Sequence, residues 1–264
     1  MTVDLVYAET GPESDLPPLL VLHGLYGSGR NWATVSKRLA EKRCVVTVDL
    51  RNHGDSPWAD AMDYRSMAED VAALVRGPFG GGPVALMGHS MGGKVAMMLA
   101  LTEPDFVDRL IVVDIAPVAY DKPGVLEYAD TLRRLDLSGL TRRGEAQQAL
   151  AADVPNQVVR AFLVQNLVDA EGGGLRWRLN LDAIDAGTAD LIGWPEPPTG
   201  ARYEGPTLFV AGGASSYVGA AEPGEIENRF PQVEIVTIPD AGHWVHFEQP
   251  EAFLAAVRGF LDPA

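Results

Sequence analysis

Residues 84–101 read VALMGHSMGGKVAMMLAL: a short apolar run, the sequence Gly88-His89-Ser90-Met91-Gly92, and a second apolar run of helical length. A chain that passes from strand to helix within one residue needs a strained turn. Glycines on both sides of that residue leave room for strand and helix to approach. Such a turn lifts the Ser90 hydroxyl clear of the sheet, at the N-terminus of a helix whose dipole favours developing negative charge. Ser90 is therefore the candidate nucleophile.

The same rhythm extends along both ends of the chain. Leu19–His23, Cys44–Leu50, Val84–Met87, Leu110–Ile115, Thr207–Ala211 and Val233–Ile238 are short apolar runs of strand length. Helical spacing appears in Asn31–Glu41, in Met67, Val71, Leu74 and Val75, in Met91–Leu101 and in Phe253–Leu261. Alternation of this kind predicts an α/β fold, a mostly parallel sheet flanked by helices. Between Pro117 and Arg202 it stops. Val125, Tyr128, Ala129, Leu132 and Leu135 keep helical spacing, as do Val158, Phe162 and Leu163, and no strand pair is evident. Breaks at DKPG (121–124), GGG (172–174) and WPEPPTG (194–200) punctuate the segment. The expectation is a core of 1–117 and 203–264, with 118–202 a helical cap inserted over the C-terminal edge of the sheet. A second independent domain fits less well, because the strand pattern resumes afterwards.

A serine nucleophile needs a base. Of five histidines, only His243 and His246 follow Ser90, as the chain order serine, acid, histidine requires. His243 follows Gly242 on a loop after the last strand and is the candidate base; His246 reads as a structural hydrogen-bonding residue. The neighbouring His89 should turn its ring away from the hydroxyl. Acyl transfer also needs donors for an oxyanion. The backbone amide of Met91 supplies one, and the loop HGLYGSGRNW (23–32) the other, through Leu25 or its neighbour Tyr26. That glycine-rich loop lacks the lysine and spacing of a phosphate-binding motif. DLRNHGDSPW (49–58) holds Asp49, Arg51, His53 and Asp55, and reads as a hydrogen-bonded turn buttressing the active-site loops rather than as a metal site.

A formal net charge of −15 opposes nucleic acid and anionic membrane surfaces. The single cysteine, Cys44, precludes an internal disulfide and a thiolate zinc cluster. The N-terminus MTVDLVYAET has neither a basic region nor a long apolar run, and no apolar stretch approaches the roughly 20 residues of a bilayer span. A cytoplasmic protein is expected.

HGLYGSGRNW, VDLRNHGDSPW, GHSMGGKVAM, VVDIAP, WRLNLDAI, PTLFVAGGASSYV and AGHWVHFEQP together resemble the α/β-hydrolase superfamily. Most specifically they resemble the YbfF-type bacterial esterases and their mitochondrial relatives. WRLNLDAI extends the resemblance into the insertion. What it implies is a serine hydrolase of small acyl esters or thioesters without metal or organic cofactor, with Ser90 and His243 in the triad and Leu25 and Met91 as oxyanion donors.

The acid of the triad commonly follows the strand that ends at Ala211, yet the chain there reads FVAGGASSYVGAAEP. Ser215 and Ser216 carry no charge, and Glu222 lies too far along. Asp114, Asp240 and Glu248 are the substitutes. Asp114 is preferred, because it ends an apolar strand at the same sheet edge, one strand nearer the nucleophile; VVDIAP supports it by resemblance. Phe162, Leu163, Leu167 and Trp177, with Tyr26, are candidates for the substrate pocket. The reading is a carboxylesterase-type hydrolase acting on a small acyl ester or thioester, as a monomer or weak homodimer. Alternatives are a C–C hydrolase, lyase or perhydrolase with the same triad, and a non-catalytic small-ligand binder.

Overall fold

The computed structural model describes residues 1–121, 128–221 and 224–262. Val125, the DKPG break beyond Asp121 and Glu222 lie outside them.

Seven strands form one sheet in the order β1 (Tyr7–Thr10), β3 (Val45–Val48), β2 (Leu19–Leu22), β4 (Val84–His89), β5 (Val107–Val113), β8 (Thr207–Gly212) and β9 (Val233–Ile238). All neighbours are parallel except β1, which runs antiparallel to β3. Strands β2, β3, β4 and β8 are buried along their whole length, which is why they read as unbroken apolar runs. The edge strand β1 reads YAET and is half exposed, so it lacks that signal.

Side chains alternate between two cores, as strand geometry requires. Leu86 of β4 packs with α2 (Tyr64–Arg76) and α3 (Met91–Thr102) on one face. Ala85 and Met87 pack on the other face with α1 (Ala33–Leu39) and α11 (Pro250–Leu261). The short helices α9 (Glu225–Arg229) and α10 (Val245–Glu248) flank β9 in the chain.

Between β5 and β8 no described residue joins the main sheet. That stretch forms α4 (Tyr128–Arg134), α5 (Arg143–Ala149), α6 (Gln157–Leu163), α7 (Leu181–Ala186) and α8 (Thr188–Ile192). It also contains a strand pair, contrary to expectation: β6 (Leu167–Asp169) pairs antiparallel with β7 (Leu175–Trp177). Three-residue strands show too little alternation to read. The glycine run taken as a break is the hairpin turn, with Gly172, Gly173 and Gly174 at φ +95°, +99° and +80°, values that favour glycine.

Because β4, β5, β8 and β9 are parallel, their C-terminal ends gather at one edge. His89 is level with Val113, Val113 with Val210 and Gly212 with Ile238. Side chains carried just beyond these ends meet there.

Candidate active site

Ser90 occupies the turn between β4 and α3 at φ 52°, ψ −118°, a strained conformation for a residue with a side chain. Its amide bonds Val113 O at 3.0 Å and its carbonyl accepts from Lys94 N at 3.1 Å. The flanking glycines are steric necessities. A Cβ on Gly88 would stand 2.1 Å from Gly92 O, and one on Gly92 would stand 2.5 Å from His23 O.

His243 lies on the loop after β9. Its Nε2 is 2.9 Å from Ser90 Oγ and its Nδ1 2.7 Å from Asp114 Oδ2. Asp114 stands one residue past β5, fully buried, at φ 50°. Its Oδ1 accepts the Gly212 amide at 2.9 Å, and its Oδ2 accepts the Ser215 hydroxyl at 2.5 Å. The stretch that lacks an acid thus supplies hydrogen bonds to the Asp114 carboxylate of the neighbouring strand. Asp240 is exposed and makes no recorded contact with His243 among the described residues. Glu248 instead closes its own loop, accepting from Gly242 N at 2.8 Å and Trp244 N at 3.1 Å. The ring of Tyr217 packs 4.2 Å from that of His243, covering the base on one side.

With a carboxylate at Nδ1, the imidazole carries its proton there and offers Nε2 as acceptor to the Ser90 hydroxyl. None of the other four histidines bonds Ser90 Oγ among the described residues. His89 points away from Ser90, as expected, and its Nε2 bonds His243 O at 2.9 Å, fixing the loop that carries the base. Burial holds it neutral, far below its ordinary pKa, and the neighbouring His243 and His246 add to that. His246 does not take the hydrogen-bonding role expected of it: its Nδ1 is buried without a hydrogen-bond partner among the described residues, and its ring instead stacks on Trp32 at 4.1 Å. Burial first, and then the nearby His243, bring its pKa down to about 3.

His23 Nδ1 donates to Gly24 O at 2.8 Å and its Nε2 accepts from Leu50 N at 3.0 Å. His53 Nδ1 donates to Arg51 O at 2.9 Å and its Nε2 accepts from Tyr26 N at 3.2 Å. Burial lowers the first to about 4 and the second to about 3, the proximity of His23 adding to the second. The last contact separates the two candidate donors of the loop. The Tyr26 amide is engaged by His53, whereas the amides of Leu25 and Met91 have no protein acceptor among the described residues.

The 49–58 turn has the expected buttressing form. Asp49 accepts from Gly29 N at 2.7 Å and Asp55 N at 2.8 Å, and Arg51 grips Asp70 at 2.6 and 2.8 Å with both side chains buried. No group of three metal-ligating side chains occurs among the described residues. Two asparagines tie the β5–β8 segment to this frame. Asn166 Nδ2 donates to Tyr26 O at 2.8 Å, and the Asn180 amide donates to Asn52 O at 3.0 Å.

The cavity over Ser90 is lined by Tyr26, Phe162 and Leu163, three of the five pocket candidates, and also by Leu25, Trp32, Tyr128, Val159 and Trp244. Leu167 and Trp177 are not part of it. Leu167 is fully buried in the hydrophobic core, and the Trp177 indole donates to Leu132 O at 3.1 Å. Both lie on the unforeseen hairpin, which turns them into the segment's own interior. Trp244 was legible as an aromatic next to the base; Trp32 had no such signal.

The family model described as alpha/beta hydrolase fold matches residues 17–250. The chain belongs to the α/β-hydrolase fold family. Among relatives of this α/β hydrolase is a Mus musculus protein named sn-1-specific diacylglycerol lipase ABHD11, 40% identical over 94% of this chain and 82% of that protein. Esterase YbfF of Escherichia coli is 33% identical over 93% of each chain. A solved structure titled marine microorganism esterase superposes with a TM-score of 0.90 at 36% identity, covering 98% of this chain and all of the other. The chain is an α/β hydrolase of the esterase/lipase type, consistent with a carboxylesterase. No helix among the described residues is long and apolar enough to cross a membrane.

Proposed function

We propose that Ser90, His243 and Asp114 act as a catalytic triad that cleaves small carboxylic esters or thioesters through an acyl-enzyme. The observation that carries this reading is the unbroken chain from Ser90 Oγ through His243 to Asp114, at 2.9 and 2.7 Å. Ser90 Oγ attacks the carbonyl carbon while His243 Nε2 takes its proton, and Asp114 stabilises the imidazolium. The Leu25 and Met91 amides bind the oxyanion. Each such donor is worth about 2.7–4 kcal/mol of barrier. The imidazolium then gives its proton to the departing alcohol or thiol. Water, deprotonated by His243, attacks the acyl-enzyme and restores Ser90.

In this reading residues 118–202 are the cap, which closes the site from above through Phe162, Leu163 and Tyr128. The enzyme works in the cytoplasm as a monomer or weak homodimer. A fluorophosphonate probe should label the wild type and leave Ser90→Ala unlabelled, and the same variant should lose hydrolysis of acetyl esters. Absence of labelling in the wild type overturns the proposal.

A further inference from the structure

The free volume directly over Ser90 is small, about 40 Å³, enough for a few water-sized groups. Beside it lies a groove of about 540 Å³, where Val158, Ala161, Phe247 and Leu254 line the space together with Arg30 and Arg38. The two spaces share Asn31, Phe162, Trp244 and His246 as a common wall. The Phe162 and Trp244 rings meet at 5.7 Å, and Asn31 Nδ2 donates to Gln165 Oε1 at 3.0 Å beside them. Asn31 and Trp244 come from the sheet-bearing part of the chain, Phe162 from α6 and Gln165 from just beyond it. Rotation of the two rings about their own side-chain torsions is the most direct way to join the two spaces. The groove also accounts for two exposed apolar residues, Phe247 at 69% and Val158 at 51%. Contiguous apolar surface of this kind next to a reactive site marks a ligand-binding groove.

We infer that Phe162 and Trp244 form a gate between the Ser90 cavity and an outer groove that takes a linear hydrocarbon arm of the ester substrate. This rests on the esterase reading above and names the substrate class: an ester whose reacting end is small and whose arm is a flexible alkyl chain. A chain threaded past the gate exchanges water for the apolar floor of the groove. Each buried methylene is worth about 0.8 kcal/mol, or roughly fourfold in kcat/KM until the groove is filled.

Two matched series test it. One runs from p-nitrophenyl acetate to decanoate, and the other from methyl to decyl acetate; together they show whether the arm belongs to the acyl or the alcohol side. In one series kcat/KM should climb with length in the wild type. Ala161→Trp fills the groove from α6 without lining the Ser90 cavity. It should abolish the climb, bringing kcat/KM for the longest ester down to the level of the shortest. Phe162→Ala should open the gate and raise the long-to-short ratio several-fold.

A flat or falling profile in both series that Phe162→Ala does not reverse overturns the gate. So does a climb that survives Ala161→Trp. Binding of decyl acetate to the Ser90→Ala protein, followed by tryptophan fluorescence, keeps the test independent of catalysis. That binding should weaken at least tenfold with Ala161→Trp. Loss of labelling at Ser90 with intact binding sinks the esterase reading alone; intact labelling with no dependence on Ala161→Trp sinks the groove alone.

Discussion

The Ser215 hydroxyl donates to Asp114 Oδ2 at 2.5 Å, so the loop after β8 serves a carboxylate carried by β5. Together with the Gly212 amide and His243 Nδ1, three donors converge on Asp114. A carboxylate held this way keeps the imidazole in one tautomer and one orientation. Asp114→Asn should lower kcat by about 10³–10⁴-fold while fluorescence and melting stay near wild type. Ser215→Ala removes one charge-assisted bond, worth about 1.5–3 kcal/mol, and should cost about tenfold or more in kcat. Asp240→Asn should leave kcat unchanged; a loss as large as that of Asp114→Asn would move the acid to Asp240.

The sheet was legible because parallel strands buried on both faces read as apolar runs, and because Ser90 sits in a turn that only glycine neighbours permit. Asp114 became the candidate acid from its place at the end of such a run, and the structure sets it 2.7 Å from His243 Nδ1. Its partners Gly212 and Ser215 were not, since nothing in the sequence of one strand records which carboxylate the next strand presents. Sequence spacing also failed for β1, half exposed and polar, and for β6 and β7, too short to alternate. That failure carried Leu167 and Trp177 wrongly into the pocket. What favours Leu25 over Tyr26 as the proposed donor is His53, whose ring reaches Tyr26 N from another loop.

Asn166 Nδ2 donates to Tyr26 O and also to Leu163 O, at 2.8 and 3.2 Å. Tyr26 stands at φ 59°, directly after the Leu25 amide, so this contact fixes the proposed oxyanion loop from above. Asn166→Leu leaves the buried Tyr26 carbonyl without that donor, a cost of about 1–3 kcal/mol. Because the lost contact orients a donor, kcat should fall about tenfold with little change in KM. A pure rise in KM would show that Asn166 shapes substrate binding instead.

The buried histidines set the acid limit of stability. Their folded pKa values lie below the ordinary value near 6.5, so the unfolded chain binds more protons as pH falls through that value. Stability that is complete above pH 6.5 is then lost progressively toward the folded pKa values. His23, lowered to about 4 by burial, removes about 2 kcal/mol by pH 5 on its own. His53 and His246, each lowered to about 3, act in the same direction. Urea unfolding should show the decline beginning near pH 6.5, and His23→Gln should shallow it. A decline confined to pH below 4 would assign it to carboxylates.

Lys94 gives the opposite limb. Its side chain is buried on α3, its Nζ donates to Gly193 O at 2.6 Å, and it lies 4.7 Å from the Tyr120 ring and 5.2 Å from that of Tyr64. Burial lowers its pKa from 10.5 to about 7. Between those values the unfolded chain holds the proton that the folded chain has released, so stability rises with pH across the window. The penalty is complete below pH 7 and is relieved toward 10.5. Lys94→Met has no proton to lose and should be flat where the wild type climbs. The wild type should therefore gain about 2 kcal/mol relative to Lys94→Met between pH 7 and pH 9. Other groups that titrate in that range are present in both proteins and cancel in the difference. Chemical unfolding of the pair at the two pH values measures it. An unchanged gap would mean that the carbonyls at the end of α8 and the two tyrosine rings keep Lys94 charged throughout.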